Sequence, residues 1–165
     1  MYIMVKKKYQ IFILIVMFTS ALILPYKTYS QTTISIKTAE KELIDGNYDK
    51  SLAIWQILAK QGNLIAVNNL GFMYEKGYGL VRNEKKAVHL YKKAAEGGVS
   101  VAQFNYGEAL YLGKGINKDK IEATKWLLLA LDRGSKDALY LLKEVNKTLS
   151  YEDKTEAKIR FMEWT

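Results

Sequence analysis

Ala66-Val-Asn-Asn-Leu-Gly71 is answered 36 residues later by Ala102-Gln-Phe-Asn-Tyr-Gly107. Gly77-Tyr-Gly79 recurs as Gly113-Lys-Gly115 at the same offset, as do Ala87 and Ala123, Ala94 and Ala130, and Gly98 and Gly134. Ala138 continues the series from Ala102. Upstream, Gly62 matches Gly98, Ala59 matches Ala95, and Ser51 stands where the next unit has Ala87. So many identities at one spacing mark a repeat architecture, in which each unit buries its apolar face against its neighbours.

Each unit reads as two helices. Residues 64–76 carry Ala66, Leu70, Met73 and Tyr74 at helical spacing, with Gly71 where a second helix has to approach closely. Gly77 stops that helix, because glycine takes a positive φ without Cβ strain. The loop runs through Gly79 to Asn83, whose side chain caps a helix over 84–97 with Ala87, Leu90, Tyr91 and Ala94 on one face. Gly97-Gly98 ends it. The next unit predicts helices over 100–112 and 120–133, capped by Asp119 and anchored by Trp126. Residues 136–148 predict a further first-type helix, and Ser150-Tyr-Glu-Asp153 opens a last one bearing Ala157, Phe161 and Trp164.

Segments 64–99 and 100–135 resemble Sel1-like repeats, with an Ala-x-x-x-Leu/Tyr-Gly first helix, a Gly-x-Gly loop and an Ala-x-x-Leu/Trp second helix. Tyr106 stands where the family has Leu, and Leu90 where it has Trp. Residues 38–63 look like a shorter tetratricopeptide-type pair, since Gly46 to Trp55 reproduce the turn and second helix without the Gly-x-Gly insertion. Residues 136–165 are then capping helices, and the Glu-Trp ending is similar to those that close many Sel1-like proteins. The resemblance implies an all-α fold, a right-handed superhelix of about four helical pairs. It also implies that the first helices line the concave side and that use is mainly as adaptor or scaffold.

Residues 1–30 read as an address and residues 31–37 as a flexible start. Lys6-Lys7-Lys8 precede an apolar run from Ile11 to Leu24, too short for the roughly 20 residues that span a bilayer. Pro25 breaks the run, and Thr28-Tyr29-Ser30 offers small residues for a cut after Ser30. The expectation is a bacterial periplasmic or secreted protein with no stable membrane span after cleavage. Retention of the segment as an anchor is the alternative.

Composition narrows the chemistry. The chain of 165 residues has no cysteine and one histidine, His89, so disulfides, thiolate chemistry and an ordinary zinc site are excluded. The net charge of +8 misleads, because residues 1–30 supply four lysines and no acid. The remaining 21 basic and 17 acidic residues leave no clustered stripe of the kind that binds nucleic acid. Neither Gly-x-Gly pair is followed by Gly-Lys-Ser/Thr or preceded by a strand, so they are loops and not phosphate cradles. No Ser-x-x-Lys is present. Catalysis, metal and cofactor are therefore not expected. Lys85-Lys86 and Lys92-Lys93 read as a solvated outer face.

Spacing on the first helices projects Asn68, Phe72, Glu75, Phe104, Glu108, Tyr111, Tyr140 and Glu144 toward one groove. Large aromatics beside carboxylates on an open face suit recognition of another protein. The bland alternative is that terminal helices cover them. Two further readings come with the family resemblance. One is an immunity or inhibitor protein against a delivered toxin. The other is a cell-wall or β-lactam binding protein, a role linked to cysteine-rich members and weakened here by the missing cysteines.

Overall fold

The computed structural model describes residues 34–165, so residues 1–30 and the start of the 31–37 segment lie outside the described part. Every regular element there is a helix: α1 (Ile36–Ile44), α2 (Tyr48–Lys60), α3 (Leu64–Lys76), α4 (Glu84–Glu96), α5 (Ser100–Leu112), α6 (Lys120–Asp132), α7 (Lys136–Asn146) and α8 (Tyr151–Trp164). The helices predicted over 84–97, 120–133 and 136–148 thus stop one or two residues early. No helix among the described residues is long and apolar enough to cross a membrane.

The caps expected at Asn83, Asp119 and Ser150 are present, and Asn63 and Ser135 join them. Asn63, Asn83, Asp119, Ser135 and Ser150 each accept a backbone N–H from three residues on, at 2.9–3.3 Å. Gly77 and Gly113 close the first helices at φ 75° and 76°. The second glycine of each Gly-x-Gly, at φ 69° and 67°, has a further reason. A Cβ on Gly79 would meet the Tyr48 carbonyl at 3.2 Å, and one on Gly115 would meet that of Glu84 at 2.5 Å. The loop therefore rests on the start of the preceding unit's second helix.

From α1 to α7 each helix packs on the next. First helices also meet across units, α3 with α5 and α5 with α7, whereas α2 with α4 and α4 with α6 make at most glancing contact. α3, α5 and α7 therefore share one side of the stack, the side that the family resemblance makes the inner face. The fold is the all-α solenoid that the repeat predicts. Small residues fill the seams: Ala66, Ala87, Ala94, Ala102, Ala123, Ala130 and Ala138 are buried, with Trp55, Met73, Tyr91 and Trp126 between them. Ser51 occupies its alanine position because its hydroxyl donates to the Ala39 carbonyl at 2.8 Å, tying α2 to α1.

The expected fourth helical pair is corrected. α8 packs on α6 and leaves α7. The reason lies in the repeat itself. A Cβ on Gly71 would meet the Tyr91 ring at 2.7 Å, and one on Gly107 would meet Leu127 Cγ at 3.0 Å, because a second helix presses on each first helix there. The third copy of that position, 36 residues past Gly107, is Lys143, and it is exposed. A lysine at that point keeps any second helix off α7, which shows Leu139 and Tyr140 to solvent, 41% and 68% exposed.

Candidate functional site

The inner face is where a partner would meet side chains that no helix among the described residues covers fully. On α3 the half-covered or exposed stripe is Ile65, Asn69, Phe72 and Lys76, and on α5 it is Val101, Asn105, Glu108 and Leu112. These are the same positions in successive repeats, at the three- and four-residue steps of one helix face.

The eight residues singled out by spacing are divided by the structure. Asn68 is 4% exposed, and its Oδ1 accepts a hydrogen bond from Asn105 Nδ2 at 2.9 Å, joining α3 to α5. It offers a partner almost no surface. Phe104 and Tyr111 are half-buried against Leu127, Ala130, Ala138 and Leu142, so they hold α7 onto the stack. Phe72 is half-buried, with its ring edge-on to Tyr78 at 5.9 Å and the Lys76 ammonium 5.5 Å from its centre. Tyr78 in turn stacks flat on Tyr48 at 4.3 Å. Tyr140 stands open with the Lys143 ammonium 5.8 Å from its ring, and Glu144 is exposed and paired with Lys147 at 2.7 Å.

Glu75 and Glu108 come together on the inner side. Both line one recess with Asn105, Tyr91, Glu84 and Lys114, a space of ≈ 10 Å³ that holds one water at most. Glu75 accepts the Tyr91 hydroxyl at 2.8 Å and pairs with Lys76 at 2.8 Å. Burial pushes its carboxyl up, but the Lys76 and Tyr91 hydrogen bonds and the Lys76 and Lys114 charges outweigh this and hold it below the ordinary carboxylate range. Burial, then the bond to Glu75, pushes the Tyr91 phenol well up, so the pair is a fixed hydrogen bond at any physiological pH. Glu108 has no ion-pair partner among the described residues. Such a recess admits no substrate. Its chemistry is a bonded strut beside one open carboxylate. Among the described residues no group of three or more His, Asp or Glu could hold a metal ion.

Spacing alone passed over Asn69, Asn105, Lys76, Tyr78 and Leu112. The signal for Asn69 and Asn105 was present, since they are the aligned asparagines of the two repeat motifs. Lys76 and Leu112 continue the three- and four-residue steps of that face, whereas Tyr78 sits in the loop, where periodicity carries no information about direction.

Residues 64–99 and 100–135 each match the family model of the Sel1 repeat. A sel1-like repeat-containing protein of Acanthamoeba polyphaga mimivirus is 42% identical over 64 residues, 39% of this chain and 11% of that protein. An F-box protein of Arabidopsis thaliana is 36% identical over 100 residues, 60% of this chain and 26% of that protein. The chain thus spans at most 26% of the length of these two curated relatives. Among solved structures, a protective antigen of uropathogenic Escherichia coli with an SLR fold superposes with a TM-score of 0.73 at 23% identity, over 78% of this chain and 28% of that one. At that identity the likeness is one of fold alone. A Sel1 repeat protein from Oxalobacter formigenes gives 0.65 at 27% identity, over 79% of this chain and 56% of that one.

Proposed function

We propose that this chain, which carries two consecutive Sel1 repeats, is an exported adaptor that holds a protein partner along the inner face of its solenoid. Sel1 repeat proteins generally act as protein–protein interaction modules, and the fold is typically a scaffold without enzymatic activity. The observation that carries the reading here is the uncovered stripe on α3 and α5. It combines an aromatic backed by other aromatics (Phe72 on Tyr78 and Tyr48), two aligned asparagines, an open carboxylate at Glu108 and exposed Leu112. Amide and carboxylate groups beside apolar anchors suit a polypeptide, whose backbone and side chains supply the complement. Export is supported by the Lys6-Lys7-Lys8 and Ile11–Leu24 pattern of the first thirty residues.

A photo-crosslinking residue placed at Asn69 in the chain expressed with its first thirty residues tests both parts. A crosslinked partner is expected in the exported fraction. It should be lost on combining Glu108→Lys with Leu112→Glu, surface changes that leave the core intact. Crosslinking that survives the double change refutes the inner-face site, and a chain that stays in the cytoplasm refutes export.

A further inference from the structure

The outer side of the stack carries a shelf that is filled in one repeat and open in the other. On α6, Glu122, Lys125, Trp126 and Leu129 lie under α8. Trp164 meets Trp126 edge-on at 5.1 Å, the Lys125 ammonium is 4.6 Å and 4.8 Å from the two indole centres, and Arg160 reaches Glu122 at 3.4 Å. Beneath that helix Lys125 is 7% exposed and Trp126 and Leu129 are each 2% exposed. The same positions one repeat earlier are Lys86, His89, Leu90 and Lys93. No helix among the described residues covers them. Lys86, His89 and Lys93 are exposed and Leu90 is half-covered. An open recess of ≈ 450 Å³ is lined by Tyr74, Asn83, Lys85, Lys86, His89 and Leu90, with the Lys86 ammonium 5.3 Å from the Tyr74 ring centre.

The molecule itself therefore shows what sits on such a shelf: an amphipathic helix with an aromatic near its end. The charge of the shelf is different, however. Where α6 offers Glu122 to Arg160, α4 offers Lys86, flanked by Lys85 and Lys93. Glu84 and Glu96, the acidic residues of α4, are taken by Arg82 at 2.5 Å and Lys92 at 3.8 Å. Lys85, Lys86 and Lys93 have no carboxylate partner among the described residues.

We propose that the α4 shelf docks an acidic amphipathic helix of a partner protein, in the manner in which α8 docks on α6. An aromatic of that helix covers Leu90 and Tyr74, and a carboxylate takes the place of Arg160 opposite Lys86. The surface is distinct from the inner face. It rests on the reading of the chain as an interaction module only in requiring a protein partner.

A probe built from the chain's own solution tests this. A labelled peptide of residues 150–165 is made in two forms, unchanged and with Arg160→Glu, and its anisotropy is titrated with the full chain at neutral pH and low salt. The Arg160→Glu form is expected to bind roughly fivefold more tightly than the unchanged one, the change from repulsion to attraction at one exposed pair. Lys86→Glu in the chain should invert that order. Glu108→Lys with Leu112→Glu should leave it untouched. The proposal is overturned by equal affinities, by an order that Lys86→Glu does not change, by no binding at millimolar chain, or by loss of binding in the inner-face variant. Self-association of the parent chain that Lys86→Glu abolishes would assign the shelf to a second copy and overturn it too. If crosslinking at Asn69 finds no partner while the peptide order inverts, the inner-face reading fails and the shelf stands.

Discussion

Replacing Gly71 with alanine sets two opposing effects against each other, and the structure decides between them. Alanine in a helix interior is favoured over glycine by about 1 kcal/mol. The added Cβ, however, would stand 2.7 and 2.8 Å from Cε1 and Cδ1 of Tyr91 and 3.1 Å from the Ala87 carbonyl oxygen. Carbon pairs settle at about 3.5–4.0 Å, so the gap is short by about 1 Å. The ring cannot swing away. Tyr91 is 2% exposed and its hydroxyl is held by Glu75 at 2.8 Å. Relief requires α4 to back off from α3, an overpacking cost of about 1–3 kcal/mol. With an overlap of about 1 Å against a ring that cannot move, the cost falls at about 2–3 kcal/mol, the upper part of that range, and the net expectation is a loss of about 1–2 kcal/mol. Gly107→Ala meets only Leu127 Cγ and Cδ2, at 3.0 and 3.1 Å, and the Ala123 oxygen at 3.2 Å, so its loss should be smaller. At the third copy the sign turns over. Lys143 faces no second helix, so Lys143→Gly should cost about 0.5–1 kcal/mol by propensity alone and Lys143→Ala nothing. Urea unfolding followed by far-UV circular dichroism, with the slope unchanged, measures all four. A Gly71→Ala chain as stable as the parent would refute the view that glycine is there for helix contact.

Two further outcomes follow from bonds described above. Asn105→Ala removes the donor to Asn68, whose Oδ1 then stays buried without a partner. The expected cost is about 1–3 kcal/mol in the same urea assay, while Asn69→Ala, whose amide only bonds its own helix at Ile65, should cost little. Acid should loosen α8. Burial raises the Glu122 carboxyl, but hydrogen bonds from Lys125, Trp126 and Arg160 and the Lys125 charge bring it below its ordinary 4.5. A depressed carboxylate contributes stability that is fully present above the unfolded value and is lost as pH falls from 4.5 through the folded value. The urea midpoint should therefore drop between pH 7 and 3.5 by more in the parent than in Glu122→Gln, and equal drops would count against the role given to this carboxylate.

The solenoid was legible because its signals are local and repeated. Gly77 and Asn83 act within a few residues of themselves, and their 36-residue echoes at Gly113 and Asp119 fix the unit. The candidate surface was only half legible. Spacing puts a residue on a helix face, but whether that face is open depends on which helix lies across it. Phe72 and Asn68 are four residues apart on α3, yet Asn68 points into the seam with α5 and Phe72 out of it. Phe104 and Tyr111 were expected in a groove because spacing along a first helix projects them to one face. They are half-buried because α7 lies over that side of α5, a fact of stacking order that no window of sequence around them contains.

The end of the stack shows the same limit and the clue that removes it. A repeat read for its matches predicts another pair after α6; read for its mismatches, it predicts a stop. Gly71, Gly107 and Lys143 form one column, and a change from no side chain to the longest aliphatic stem is incompatible with a helix pressed against that point. Once α7 cannot take a second helix, the apolar residues of α8 need another surface. Trp126, exchanged for Leu90 in the same column, and Leu129, exchanged for Lys93, supply it. The substitutions that break the repeat on α6 and α7 are thus a matched set: one side refuses α8 and the other receives it. The unchanged α4, with Leu90 and Lys93, is left as a second-helix shelf of a Sel1 unit that no other helix among the described residues covers. That asymmetry between two otherwise equivalent repeats is the reason to look for a partner there.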